Sequence, residues 1–394
     1  MYFDYFPAGS STPKRVKITE VELAKYIATD WMPGLPITIM NGFADVLRGV
    51  LETEEIQHHD YWCVNQDLAS TDRQWKGMTS WILGVAFARF TVESEGYPWW
   101  SPVSAFKGDN STGHTTTGNW IVSNPRSLFY VTRKPSWPSN LCPDYVLCRL
   151  APTGYEYAFC ESKGTDRALS RRNSPPVDWS NQVRSIDLLF NGKVIDVNHH
   201  LIVATRINPT ASRPSTRQII VRAWDATDPT NEGDDVKFAS FLATHYAAIC
   251  WRLGYGELAE LMESAAIELA WYSTDNSTSW MRGWDPLRER FLSAYNFRFR
   301  NDLRRRPADV DGPTILQSDQ AGTSFRLGDR LFELALTTEA LDIMQAIVNF
   351  HPAELREVAS RAVDRTRLWI DTLRSVDQQR IAVTLNGIAM IERG

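Results

Sequence analysis

Cysteine is scarce in this chain of 394 residues: there are five, an odd number, and no two stand at a Cys-x-x-Cys spacing. That argues against a disulfide framework and a zinc ribbon, and the five read as reduced core residues. No stretch approaches the roughly 18 consecutive apolar residues of a membrane span. The opening MYFDYFPAGSSTPKR lacks the apolar core of a signal peptide, so a soluble, cytoplasmic protein is expected. A phosphate-binding loop of the form GxxxxGK(S/T) is absent, and any ATP-driven step must come from another protein. No convincing repeat divides the sequence. Net positive charge is missing too: 42 Lys and Arg stand against 47 Asp and Glu, a balance of −5 that does not by itself advertise a nucleic-acid binder.

What is present suffices for a sizeable core, with 43% hydrophobic and 23% charged residues, and the length exceeds one average domain, so two lobes are expected. The sequence is organised around Cys142 to Lys163, CPDYVLCRLAPTGYEYAFCESK. Ala151-Pro152-Thr153-Gly154 is a turn with Pro at its second position, flanked by apolar runs, which predicts a β-hairpin. Antiparallel pairing about that turn sets Asp144 opposite Glu161, with Cβ atoms about 4.5 to 5.5 Å apart. Lys163 emerges on the face of Glu161, one pleat on. Two carboxylates at the end of an apolar hairpin repel each other, and a divalent cation relieves them. Oxygen ligands suggest Mg²⁺ or Mn²⁺. A lysine beside such an ion can orient the attacking water and stabilise an anionic phosphodiester transition state.

Pro143-Asp144 with Glu161-Ser162-Lys163 resembles the motif of the PD-(D/E)XK nuclease superfamily, over about residues 80 to 224. The resemblance implies that Asp144, Glu161 and the Ser162 carbonyl bind metal and that Lys163 serves the water. Gln182, on the helix after the Glu-x-Lys strand, joins the catalytic set by the same resemblance. Family members often add an acidic residue from a helix ahead of the core strands, which makes Glu93 and Glu95 candidates. Asp235-Val236-Lys237 is a rival triplet, but it opens an amphipathic segment at Asp234, where an Asp is expected as a helix cap.

From Lys163 to Arg222, ten basic residues face four acidic ones, a local +6. Arg167, Arg171 and Arg172 follow the catalytic strand and are expected to meet phosphates without reading bases. Arg298, Arg300, Arg304, Arg305 and Arg306 form a second basic cluster.

Elsewhere, helices are expected at Glu20 to Thr29, Gly42 to Glu55 and Ser80 to Glu95, and from Asp178 or Ser180 through Phe190. Strands are expected at Ser127 to Arg133, His199 to Arg206 and Arg217 to Trp224. His58-His59-Asp60 reads as a surface turn and not as metal ligands. Trp99, Trp100, Trp120 and Trp137 offer stacking faces for unpaired bases, with core packing as the ordinary alternative. Helical hairpins are expected over Val236 to Tyr272 and over Leu331 to Arg374.

The fold expectation is α/β: a partly helical N-terminal extension (1–79), a restriction-endonuclease-like α/β sandwich core with a mixed central sheet (80–224), and a mainly α-helical C-terminal lobe (225–394). The functional expectation is a metal-dependent endodeoxyribonuclease acting on DNA, with a protein partner for ATPase activity or target sensing, and with self-association left open. Such nucleases with accessory lobes are frequent in prokaryotic restriction and phage-defence systems, as the resemblance implies. The competing expectation is a non-catalytic nucleic-acid-binding or scaffold module on the same fold.

Overall fold

The computed structural model describes residues 1–29, 46–106, 129–138, 141–152, 154–166, 169, 174–197, 199–208, 213, 217–225, 234–274, 289, 315–317, 324–327, 329–349, 352–374 and 380–393. The N-terminal part supplies β1 (Tyr2–Phe6), β2 (Lys14–Lys17), α1 (Glu20–Ala28), β3 (Leu51–Ile56), β4 (His59–Val64) and the long helix α2 (Arg73–Ser94). Then come β5 (Trp99–Pro102), β6 (Phe129–Arg133), β7 (Tyr145–Ala151), β8 (Gly154–Thr165), α3 (Val177–Val183), β9 (Ile186–Phe190), β10 (Lys193–Ile195), β11 (His199–Arg206) and β12 (Ile220–Asp225). The remainder holds α4 (Asp235–Arg252), α5 (Gly256–Thr274), β13 (Ile315–Gln317), β14 (Ser324–Leu327), β15 (Arg330–Thr337), α6 (Thr338–Asn349), α7 (Pro352–Arg374), β16 (Ile381–Val383) and β17 (Ile388–Arg393).

A mixed nine-stranded sheet in the order β3-β4-β1-β12-β11-β8-β7-β5, with β2 beside β1, forms the centre of the α/β architecture. Its middle is apolar on both faces: β8 is buried from Gly154 to Glu161 and β11 from His199 to Thr205, as strands covered on two sides must be. Helix α2 lies against β8 and β11, and α3 packs on the same two strands. The crossing of α2 is close because two glycines meet there. A Cβ on Gly164 would collide with the hydroxyl and carbonyl oxygen of Ser80, and a Cβ on Gly84 would lie 3.0 Å from the Gly164 nitrogen.

The expected hairpin is present as β7 and β8, and its ladder runs from Ala151↔Gly154 to Tyr145↔Cys160. β11 matches its expected span and runs parallel to β8. Asp234 caps α4, its carboxylate accepting the N–H groups of Val236 and Lys237, so the rival triplet is a helix start.

Several expectations need correction. The helix foreseen over 42–55 gives way to a strand at Leu51, where after the buried Leu51 the half-buried Glu52, Glu54 and Ile56 alternate with the exposed Thr53 and Glu55. Gln57 and His58, at φ 54° and 64°, then make the two-residue turn into β4. Helix α2 starts at Arg73 and not at Ser80, since the Asp72 carboxylate accepts the Trp75 N–H and caps it. The helix expected to reach Phe190 ends at Val183; Ile186–Phe190 is a strand, turned back into β10 through Asn191-Gly192 at φ 49° and 75°. The strand at Phe129–Arg133 belongs to a separate small sheet, β10-β9-β6, and β5 takes the place beside β7. Helices hold most of the described residues of the C-terminal part, but it is not helical throughout. Leu331 to Thr337 lie in β15, and a five-stranded sheet, β13-β15-β17-β16 with β14 on β15, accompanies the helices.

Candidate active site

Glu161 is the last fully buried residue of β8, 1% exposed, at the point where the strand emerges from the apolar layer. One carboxylate oxygen pairs with the Lys163 ammonium, which is on the same face of the strand. The other, Oε2, is buried and has no hydrogen-bond partner. Burial, and then the negative charge of Asp144, push its pKa up to about 8, against the lowering effect of Lys163. This is the behaviour of a desolvated carboxyl beside a second carboxylate.

Asp144 departs from the extrapolated register. The ladder ends at Tyr145↔Cys160, and the Asp144 N–H donates to the Cys160 carbonyl (3.0 Å). Its Oδ2 accepts the Ser162 N–H at 2.8 Å instead of facing Glu161 squarely. In a strand the N–H and C=O of one residue point to the same edge. The Ser162 carbonyl is therefore directed toward the Asp144 side of the strand. The side chain of Ser162 points the other way, toward α2 near Gly84, and its buried hydroxyl is unpartnered.

Two carboxylates, one with an orphaned buried oxygen, and one backbone carbonyl suit Mg²⁺ or Mn²⁺, hard cations that bind through one or two carboxylates and keep several waters. Among the described residues there is no group of three or more His, Cys, Asp and Glu side chains that could hold a metal.

Lys163 also lines a cleft of about 630 Å³ at the carboxyl ends of the parallel strands β8 and β11. Sites in open α/β sheets form at such strand ends. Arg73, Lys76 and Thr79 from the start of α2, and Trp179 from α3, contribute to its walls. These residues were not singled out in the sequence; the Asp72 cap ahead of Arg73-Gln74-Trp75-Lys76 was the signal that could have placed them on a helix start.

The other candidates fall as follows. Gln182 lies on α3, against β8 and β11, with its backbone carbonyl accepting from the Ser185 hydroxyl (2.7 Å). Glu93 and Glu95 are engaged away from the site. Glu93 accepts from Tyr26 (2.7 Å) and from the Leu385 N–H (2.8 Å), and Glu95 accepts from the Tyr5 hydroxyl and the Ala8 N–H. Trp99 and Trp100 are core residues, 0% and 1% exposed. Arg167, Arg171, Arg172, Trp120 and the Arg298 to Arg306 cluster lie outside the described residues.

Comparison with protein-family models, with curated proteins and with solved structures finds no match to this chain. No described helix is long and apolar enough to cross a membrane.

Proposed function

We propose that this protein is a metal-dependent nuclease hydrolysing phosphodiester bonds in nucleic acid, DNA first, and that its core is a restriction-endonuclease-like sandwich. The observation that carries this reading is Glu161: a buried carboxyl beside Asp144 with one oxygen orphaned and the other on Lys163, which itself lines an open cleft. Element order supports the fold assignment. Helix α2 is followed by the antiparallel neighbours β5, β7 and β8, then by α3, then by β11 parallel to β8.

In this reading Asp144, Glu161 and the Ser162 carbonyl hold Mg²⁺ or Mn²⁺. The ion, when bound, supplies Lewis-acid neutralisation of the charge that builds on the scissile phosphate. Glu161 and Asp144 give it a site that is rigid because β8 is flanked by β7 and β11. Lys163, partly exposed and reaching the cleft, holds its N–H donors toward the attacking water and the phosphate oxygens. No residue of the set carries a translocating or sensing function, so a protein partner supplying ATPase activity or target recognition belongs to the proposal.

Incubation of the purified protein with plasmid, single-stranded DNA and RNA in Mg²⁺, Mn²⁺ or EDTA tests it. Cleavage that requires the ion and is lost in Glu161→Ala and Asp144→Ala is expected. Cleavage that persists in EDTA, or in Glu161→Ala, would overturn the assignment. Binding without cleavage of any substrate would favour the non-catalytic module, a reading for which the direct Lys163 and Glu161 ion pair speaks.

A further inference from the structure

The cleft beside Lys163 has a wall that the hydrolytic set leaves without a role. Arg73 and Lys76, three residues apart on α2, present one helix face to it. With Lys163 they set three cations against one carboxylate, Asp166, in the lining. Arg73 is exposed, whereas the Lys76 ammonium donates to the Ala69 carbonyl at 2.8 Å, which fixes its position and leaves further donors. The free amides of the helix start are not the attraction, because the Asp72 carboxylate already takes the Trp75 N–H.

Thr79 is an independent pointer to a ligand. It is 1% exposed, lies in the wall of the same cleft, and its hydroxyl has no hydrogen-bond partner. A buried hydroxyl left unpaired is destabilising, and a polar ligand atom entering the cleft relieves it. Trp179 adds an aromatic wall on the opposite side, from α3. Cations with a fixed hydroxyl and an aromatic face are the elements that hold an unpaired nucleic-acid strand by its phosphates and bases. Size agrees with that choice: about 630 Å³ lies in the range of small-ligand pockets. A duplex, whose major groove alone is about 12 Å wide, can lie only across the mouth.

We infer that this cleft receives a nucleotide or two of an unpaired strand, with Arg73 and Lys76 on its phosphates and Thr79 on a phosphate oxygen. The inference rests on the nuclease reading for the place of the bond to be cut, but the binding does not depend on hydrolysis.

The test is fluorescence anisotropy on the full chain in EDTA, with a labelled oligothymidylate and a duplex of equal length. The oligothymidylate is expected to bind more tightly than the duplex. Arg73→Ala with Lys76→Ala should weaken it about tenfold or more, and should reduce the slope of log affinity against log salt by about 1.4, two contacts at about 0.7 each for a single strand. Thr79→Val, nearly isosteric, should keep the fold by circular dichroism and melting yet weaken the oligonucleotide several-fold. Unchanged affinity and slope in the double variant, or preference for the duplex, would overturn the inference. So would competition by thymidine monophosphate at the oligonucleotide's own concentration, since that result would mark a site for free nucleotides. The two readings separate cleanly. Loss of cleavage in Glu161→Gln with binding kept is expected if both hold. Binding that needs Arg73 and Lys76 in a protein that never cleaves would leave the inference standing and remove the nuclease. Metal-dependent cleavage indifferent to both residues would do the reverse.

Discussion

With its carboxyl buried beside Asp144 and one oxygen unpartnered, Glu161 has its pKa pushed up from an ordinary 4.5 to about 8, the Lys163 ammonium acting against the rise. The folded pKa is raised above the unfolded one. Its contribution to stability is therefore fully present below pH 4.5 and is lost as pH rises toward 8. Thermal melts in EDTA should show the wild type losing stability relative to Glu161→Gln across that window. Superimposable profiles would mean that Glu161 is not held protonated. Mg²⁺ or Mn²⁺, which needs the carboxylate ionised, should stabilise the wild type more at pH 8 than at pH 5 and should do little for the glutamine variant. Lys163 is a different case, since it is partly exposed and its partner is the carboxyl itself. Lys163→Ala should keep fold and ion binding but lose most of the cleavage rate, on the order of a hundredfold or more; wild-type turnover in that variant would remove the lysine from the chemistry.

At the scale of elements, the helix α2 and strand β8 owe their contact to Gly164. A methyl group there meets backbone atoms of Ser80, which cannot swing aside as a side chain could. Gly164→Ala should destabilise the protein by about 1–3 kcal/mol and open the cleft whose walls both elements supply, and a melting temperature equal to wild type would show the crossing to be looser than described. The site's own elements were the legible ones. The β7 and β8 hairpin announced itself by a proline turn between apolar runs, and Glu161 with Lys163 by strand alternation. Asp144 was placed on the right strand end, but the departure of its N–H to Cys160 is a local choice of backbone that alternation does not encode. Strand β5 hid because Trp99-Trp100-Ser101-Pro102 is buried on every residue, which leaves no period to read. β15 hid for the same reason, being buried from Phe332 to Thr337. The Asn191-Gly192 turn, by contrast, was a readable hairpin signal, outweighed by an apparent helical run from Asp178.

Across the whole molecule, residues far apart in sequence share one core, which includes Phe3, Phe87, Phe159, Phe241, Leu336 and Met390. The C-terminal part, from the end of α7 to the turn between β16 and β17, is tied to the N-terminal helices by polar groups. Lys25 donates to the Val383 carbonyl (2.6 Å), Glu93 accepts from the Leu385 N–H (2.8 Å), and Arg374 pairs with Glu22 (2.5 Å). Removing the Lys25 ammonium leaves the buried Val383 carbonyl without that donor, so Lys25→Ala should cost about 1–3 kcal/mol. Hydrogen exchange at the Leu385 amide should quicken in that variant, and unaltered protection would show the tie to be incidental. Arg356 of α7 likewise donates to the carbonyls of Ala151 (2.8 Å) and Pro152 (3.0 Å), so the last helix braces the turn of the hairpin that bears the site. The position of β1 has a consequence for how the protein is made. One edge of β1 pairs locally with β2, but its other edge waits for β12, Asp4 lying beside Ile220 more than two hundred residues later. At the usual pace of synthesis, about 5–20 residues per second, that edge stays open on the ribosome for on the order of ten seconds or more. During that time the unpaired N–H and C=O groups of that edge can pair with any other extended segment, the hazard that an open strand edge carries until its native neighbour is made.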